Sequence, residues 1–443
     1  MKNTEVVIAP ANTDLNRGDQ ALVWETARII IDSKDSTNIS LISYGNSENE
    51  KYMQNRQSKK KGYNFIDPLI PHPSRVLNGK LKNNSLKAII WGIVSLRDII
   101  PRLMILSKSN IISKIGKGLL TSNEKELINE YLKFDMIVYK GGGFIHSYGK
   151  ISDIYVFMYQ LYYAIFAKRN NKKVIFLPNS FGPFQNSIAK KLYINIMNKA
   201  DLITVREKIS EEQNNNILNN QSFLYPDLGF FIKKNKSFDF YKYLTKNNIE
   251  IDNSKKNIGI TVRPYNFSGH KNKEMLYKKY IKSISKFIEK YQENYNIFLI
   301  AQTMGPSDHE NDGLAIKDVQ NNLRNKVSII SDIDLNANDL VSIYGHMDFV
   351  IGTRFHSVIF AFTQCVPCIA ISYGGNKGEG IMKDFSLGKY EVKIDEINES
   401  HLIQLFNELI NDSDIKGIIS EKLEEYNIQR NELTIKINEV LQN

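Results

Sequence analysis

Cysteine is almost missing from this chain: 443 residues hold two, Cys365 and Cys368. That count excludes a disulfide-stapled fold. It also excludes a four-cysteine zinc site, because the C-x-x-C pair has no second pair to complete a tetrahedral thiolate set. Val366-Pro367 between them leads into an apolar strand, so the two read as buried thiols in a reducing compartment. No uncharged apolar run approaches the roughly 20 residues that a spanning helix needs. Met1-Lys2-Asn3-Thr4 runs straight into a short strand without a signal-peptide pattern, so the expected location is cytoplasmic. The G-x-G-x-x-G dinucleotide fingerprint is absent, and no His, Asp or Glu cluster has metal-ligand spacing, so a metal-free site with no cofactor is expected. The net charge of +10 has no basic stripe interleaved with aromatics behind it. Its lysines are spread through an Asn- and Ile-rich background, which argues against nucleic acid and for a small anionic substrate or an acidic membrane surface.

What is present is an alternation of short apolar strands and helical segments. A chain of this length exceeds one ordinary core, so two domains are expected, residues 1–240 and 250–443, each a doubly wound Rossmann-like α/β unit, facing one another across a cleft. The polar, lysine-rich stretch 233–256 is the natural linker. Strands are expected at 4–9, 38–43, 135–139, 173–177, 202–205 and 223–225 in the first half. In the second they fall near 257–265, 297–302, 327–331, 349–351 and 368–372. The stretch 46–61 reads as a polar connection. Residues 86–120, apolar but punctuated by Lys, Arg and one Pro, read as an amphipathic helical hairpin, either packed on the domain or lying in a membrane interface. The tail, 401–441, is helical, and its last segment is a candidate to pack back on the first domain.

Chemistry-bearing residues collect where strands end. Asp348 to Phe362 reads as strand, tight turn at Gly352 and helix, with Arg354 and His356 in the turn. In an open α/β sheet such a turn lies where ligands bind, and a fixed cation beside a titratable imidazole suits an anion with proton chemistry. The same residues also fit an Arg paired with a nearby acid and a His at a helix start. Three glycines, Gly141, Gly142 and Gly143, follow the third strand, where backbone N–H groups can approach a ligand without an intervening Cβ. Arg206 ends the fifth strand, and Arg263 precedes Pro264 at the end of another. Asp19, after Arg17-Gly18, is placed either to cap the first helix or to touch substrate.

These residues, in order and spacing, resemble the polysaccharide pyruvyl transferases. The carrying strings are Arg17-Gly18-Asp19-Gln20-Ala21-Leu22, Gly141-Gly142-Gly143-Phe144, Ser180-Phe181-Gly182-Pro183 and Val205-Arg206-Glu207-Lys208-Ile209-Ser210. Gly352-Thr353-Arg354-Phe355-His356-Ser357 and Ala370-Ile371-Ser372-Tyr373-Gly374-Gly375-Asn376-Lys377 complete them, over roughly residues 5–390. The resemblance implies a GT-B-like pair of domains, acceptor side first and donor side second. It also implies transfer of the enolpyruvyl group of phosphoenolpyruvate to two hydroxyls of a sugar, giving a cyclic pyruvate ketal and phosphate. The family's basic site residues fall on Arg206, Arg354, His356 and Lys377, although Gly375-Asn376 stands where the family often has Asp-Pro. On this reading Arg206, Arg354 and His356 are catalytic, with His356 the acid/base. Lys377, Arg263, Gly141, Gly142, Gly143, Asp19 and Ser357 bind substrate. The partners implied are phosphoenolpyruvate and a sugar acceptor, free, polymeric or a lipid-linked oligosaccharide at the inner face of the cell membrane, with no nucleic acid. A nucleotide-sugar glycosyltransferase on the same scaffold is the competing reading, with Glu379 its one nearby ribose partner, and a catalytically silent anion binder is another.

Overall fold

The computed structural model describes residues 3–11, 13–76, 84–150, 152–373 and 377–442. The chain divides into two compact units. The first comprises Met1–Asp14, Leu22–Asp227 and Arg430–Asn443; the second comprises Leu15–Ala21 and Leu228–Gln429.

In the first unit the elements run β1 (Thr4–Ala9), α1 (Arg17–Ser33, its first turn counted with the second unit), β2 (Thr37–Ile42), α2 (Glu48–Lys60) and β3 (Asn64–Ile66). Then come α3 (Asn84–Ile105), α4 (Asn110–Gly118), α5 (Ser122–Lys133), β4 (Met136–Tyr139), β5 (Gly142–Ser147) and α6 (Ser152–Arg169). β6 (Lys173–Phe184), α7 (Ser187–Met197), β7 (Leu202–Val205), α8 (Lys208–Ile217) and β8 (Phe223–Leu224) follow. All pairings are parallel, in the order β3-β2-β1-β4-β6-β7-β8, with β5 beside β6. Strands covered on both faces must be apolar throughout, and Met136–Tyr139 and Leu202–Val205 are buried at every position. The strand order reverses between β1 and β4, so the carboxyl end of β4, where Gly141–Gly143 begin, is a switch point of the kind where ligands bind.

Two expectations for this unit are corrected. Stretch 46–61 is the helix α2, capped by Ser47, whose Oγ accepts from Glu50 N (3.2 Å). Hydrophobic periodicity misses it because its buried face is polar. Asn55 donates to Ser43 Oγ (2.8 Å), and the Gln57 and Ser58 N–H groups donate to the buried Asp14 carboxylate (2.9 and 3.0 Å). The fourth strand does not stop at Leu177. It continues to Phe184 because β5 supplies a second partner for its far half, with a register shift at Phe176/Asn179 against β7.

The second unit contains α9 (Phe240–Lys246), inside the stretch expected as a linker, then β9 (Lys256–Thr261), α10 (Lys273–Tyr291), β10 (Tyr295–Ile300), α11 (Asp312–Asn322), β11 (Ser328–Ile330) and α12 (Ala337–Tyr344). β12 (Phe349–Gly352), α13 (Phe355–Phe362), β13 (Cys368–Ser372), α14 (Lys377–Asp384), β14 (Glu391–Lys393), α15 (Glu399–Asn411) and α16 (Ile415–Gln442) complete the chain, the end of α16 belonging to the first unit. The parallel order β11-β10-β9-β12-β13-β14 reverses between β9 and β12. Cys368 is buried in β13 and burial pushes its thiol well up, whereas Cys365, expected to be buried, is half-exposed; neither is in a disulfide. Among the described residues no helix is long and apolar enough to cross a membrane.

Candidate functional site

The turn after β12 is built by hydrogen bonds that converge from β9. Thr261 Oγ1 accepts from Thr353 N (3.0 Å) and Arg354 N (3.4 Å) and lies 2.9 Å from Ser357 Oγ. The Ser357 hydroxyl also donates to Arg354 O (2.5 Å) and is fully buried, so it sets the turn. Tyr280, from α10, accepts from Arg263 N (3.2 Å) and meets Thr353 Oγ1 (3.1 Å), tying the ends of the two central strands together. Helix α13 starts at Phe355, so Arg354 occupies the cap position and His356, expected in the turn, lies in the helix's first turn.

Arg354 is buried and faces Asp312, the first residue of α11. Its Nε and Nη2 donate to Asp312 Oδ1 (2.8 and 2.6 Å), while Asp312 Oδ2 accepts from Gln302 N (3.0 Å) and Thr303 N (2.9 Å). A fully buried acceptor ringed by four N–H donors is a carboxylate. Burial works against the Arg354 charge, but Asp312 more than offsets that, and the guanidinium stands above its ordinary pKa. Arg354 therefore meets a neighbouring acid, forty-two residues upstream.

Arg263 differs. Its guanidinium lies 4.3 Å from the Tyr373 ring centroid and 5.8 Å from that of Tyr265, and its Nε reaches only Pro264 O (3.3 Å). Among the described residues no carboxylate forms an ion pair with it, which leaves a cation stacked on an aromatic face at the carboxyl end of β9.

The most direct link between motifs joins Gly18 to His356. A Cβ added at Gly18 would fall 2.5 Å from His356 Cγ and 2.9 Å from its Cβ, and closer still to Nδ1. Only glycine lets the imidazole lie this near the first turn of α1. The neighbours of Gly18 hold that turn in place. Arg17, fully buried, donates to Leu335 O (2.7 Å) and Ile333 O (3.0 Å), and Gln20 Oε1 accepts from Ala337 N (2.7 Å). Asp19 is not the cap; Asn16 is, its Oδ1 accepting from Gly18 N (3.1 Å) and Asp19 N (3.2 Å). The side chain of Asn16, one residue before the helix, reaches these two opening N–H groups first.

Glu310 was not legible as a site residue. It is half-buried beside α11, and burial first, then the Asp19 carboxylate, push its carboxyl above the ordinary value, against Arg354, His309 and Arg263. His356, Arg354, Arg263, Asp19, Ser357 and Glu310 thus share the carboxyl edge of the second unit's sheet around its switch point. Lys377 opens α14, and the preceding Gly374, Gly375 and Asn376 lie outside the described residues.

The remaining predicted residues lie in the first unit. Gly142 starts β5 with φ +152, a conformation open to glycine. Asn179 Nδ2 donates to Lys140 O (2.9 Å) and so fixes the strand end that leads into Gly141 and Gly143. Arg206 follows β7 and is buried. Its Nε donates to Ser180 Oγ (2.8 Å), its Nη1 to Asp227 Oδ2, and Glu207 Oε1 lies 3.5 Å away. Ser180 Oγ donates in turn to Glu207 Oε1 (2.6 Å), so the strings around Ser180 and Arg206 form one network with Asp227. Among the described residues no group of three or more His, Cys, Asp or Glu could hold a metal ion.

These motifs are those of a known family, whose model, polysaccharide pyruvyl transferase, matches residues 16–375. The chain belongs to the polysaccharide pyruvyl transferase family. A pyruvyl transferase is a transferase, and its acceptor is a sugar or polysaccharide. Among solved structures this pyruvyl transferase is similar to CalG4, the calicheamicin glycosyltransferase, with a TM-score of 0.53 and 10% identity over 100% of this chain and 99% of that one. It is also similar to the UDP-GlcNAc 2-epimerase from Neisseria meningitidis bound to UDP-GlcNAc, with a TM-score of 0.53 and 13% identity over 100% of both chains. S. aureus MnaA, solved with UDP, gives a TM-score of 0.52 and 11% identity over 95% of this chain and 91% of that one. At such identities the likeness is one of fold: two parallel-sheet Rossmann-like units of GT-B type.

Proposed function

We propose that this pyruvyl transferase takes phosphoenolpyruvate as donor and joins its enolpyruvyl carbon to two hydroxyls of one sugar, releasing phosphate. The observation that carries the reading is the imidazole of His356 packed on Gly18 at the strand edge that also bears Arg263 and Arg354. The donor brings a carboxylate and a phosphate. Arg263, with no ion-paired carboxylate among the described residues, is the group best able to accept one of them, since a stacked guanidinium offers paired donors to either. Arg354 is held in place by Asp312, which also balances its charge, so it shapes the strand edge beside Arg263. Lys377 and Arg206 are proposed as further donor contacts on the family resemblance.

The chemistry follows from the donor. The methylene carbon accepts a proton and becomes a methyl group, which makes the adjacent carbon electrophilic. A first sugar hydroxyl adds there and gives up its proton. The second hydroxyl then forms its own C–O bond as the bond to phosphate breaks, its proton leaving on the departing phosphate, and the ketal closes. One imidazole can give the first proton and receive the next, a role worth about two to four orders of magnitude in rate, and His356 is assigned to it. The transfer balances without an oxidant, a reductant or a prosthetic group.

The test is incubation of the protein with phosphoenolpyruvate and a panel of sugar acceptors, following phosphate release. His356→Ala is expected to retain phosphoenolpyruvate binding and to slow transfer by about two to four orders of magnitude. A protein that ignores phosphoenolpyruvate and transfers from a nucleotide sugar refutes the reading.

A further inference from the structure

The α3–α4 hairpin is firmly seated on one side and bare on the other. On the seated side Asp98 pairs with Arg75 (2.6 Å), and Arg102 donates to Asp98 O (2.8 Å) and Glu124 Oε1 (2.8 Å) while its carbonyl accepts from Tyr162 (2.9 Å). Gly116 lets α4 lie against α3, since a Cβ there would fall 2.7 Å from Met104 Cβ and 2.8 Å from Pro101 O. The bare face is therefore not the result of a loosely hung element.

That face is apolar in a helical register. Ile89, Ile93, Leu96, Ile100 and Leu103 fall within an arc of about 80° on α3 at 100° per residue, and all are exposed, Ile93 at 63% and Leu96 at 61%. On α4, Ile111 (74% exposed), Ile115 and Leu119 (60%) make a second stripe of similar width. Cations flank both. Arg97, Lys108, Lys114 and Lys117 are exposed, while the one acidic residue between Asn84 and Leu119 is the buried Asp98.

We propose that this hairpin docks the enzyme on an anionic lipid surface, its isoleucine and leucine stripe entering the headgroup region and its cations facing lipid phosphates. An apolar stripe on a hairpin whose exposed charged residues, among those described, are all basic complements such a surface in both respects, whereas a second copy of the same face would set cation against cation. The inference is independent of which donor the enzyme uses.

It is tested by sedimenting the full chain with vesicles of phosphatidylcholine alone or of phosphatidylcholine with phosphatidylglycerol. Binding is expected to the anionic vesicles, and to fade as salt is raised. Lys114→Gln with Lys117→Gln should lower the partition coefficient about thirtyfold. Ile93→Ser with Leu96→Ser should abolish binding while leaving the unfolding midpoint unchanged, because both side chains are solvent-exposed. A wild-type chain that sediments with neither vesicle, or serine variants that bind as wild type does, overturns the proposal. So does a dimer in size-exclusion chromatography that the serine variant splits while vesicles are ignored.

Discussion

Replacing Gly18 by alanine separates local stability from catalytic geometry. The new methyl would sit 2.5 Å from His356 Cγ, whereas ordinary contact begins near 3.4 Å, so the imidazole must retreat by roughly 1 Å. Gly18 lies in the first turn of α1, where alanine is the better helix former by up to about 1 kcal/mol, so the fold loses little or even gains. A displacement of that size in a positioned acid/base costs roughly 100-fold in rate. Gly18→Ala should then unfold within a few degrees of wild type yet release phosphate from phosphoenolpyruvate and acceptor about 100-fold more slowly. The effect should vanish in a His356→Ala background, because the methyl has then nothing to displace. Wild-type turnover in Gly18→Ala, or an undiminished further loss when it is added to His356→Ala, would refute the reasoning.

Asp312→Asn strips the buried Arg354 of its counter-charge, and removing one member of such a pair costs about 3–5 kcal/mol. Calorimetry should show unfolding of the second unit lowered by roughly 10 °C, and an unshifted transition would mean that the pair is not what holds Arg354. Glu310 titrates above its ordinary value in the folded chain, so it favours the fold at acid pH, and that favour is lost as pH rises through its folded pKa. Glu310→Gln should accordingly melt above wild type at pH 7.5 and show no advantage near pH 4; an equal difference at both pH values contradicts this.

Much of the site could be read in one dimension because parallel strands buried on both faces announce themselves as apolar runs, and the residues that follow them are where ligands bind. Thus 349–351 and 202–205 located Arg354, His356 and Arg206 at strand ends. Pairwise meetings could not be read. Gly18 and His356, Arg354 and Asp312, Arg17 and Leu335 each join segments far apart, and no local pattern marks a glycine that makes room for a distant ring. Helix α2 escaped for another reason: its inward face is Gln, Asn and Ser satisfying Asp14 and Ser43, so apolar spacing carries no trace of it. Arg263 shows the reverse case, a strand-end cation that forms no ion pair among the described residues and stacks on the Tyr373 ring instead, which nothing in its local sequence announces.

The fastening of Arg17 and Gln20 to the 333–337 segment has a consequence for anyone dissecting the enzyme. A recombinant fragment starting at 228 would leave the carbonyls of Ile333 and Leu335 and the amide of Ala337 without the donors and acceptor they use, although it contains every strand of that sheet. The amino-terminal peptide is, in effect, an ingredient of the carboxyl-terminal half, so splitting the gene at its apparent midpoint yields two incomplete products.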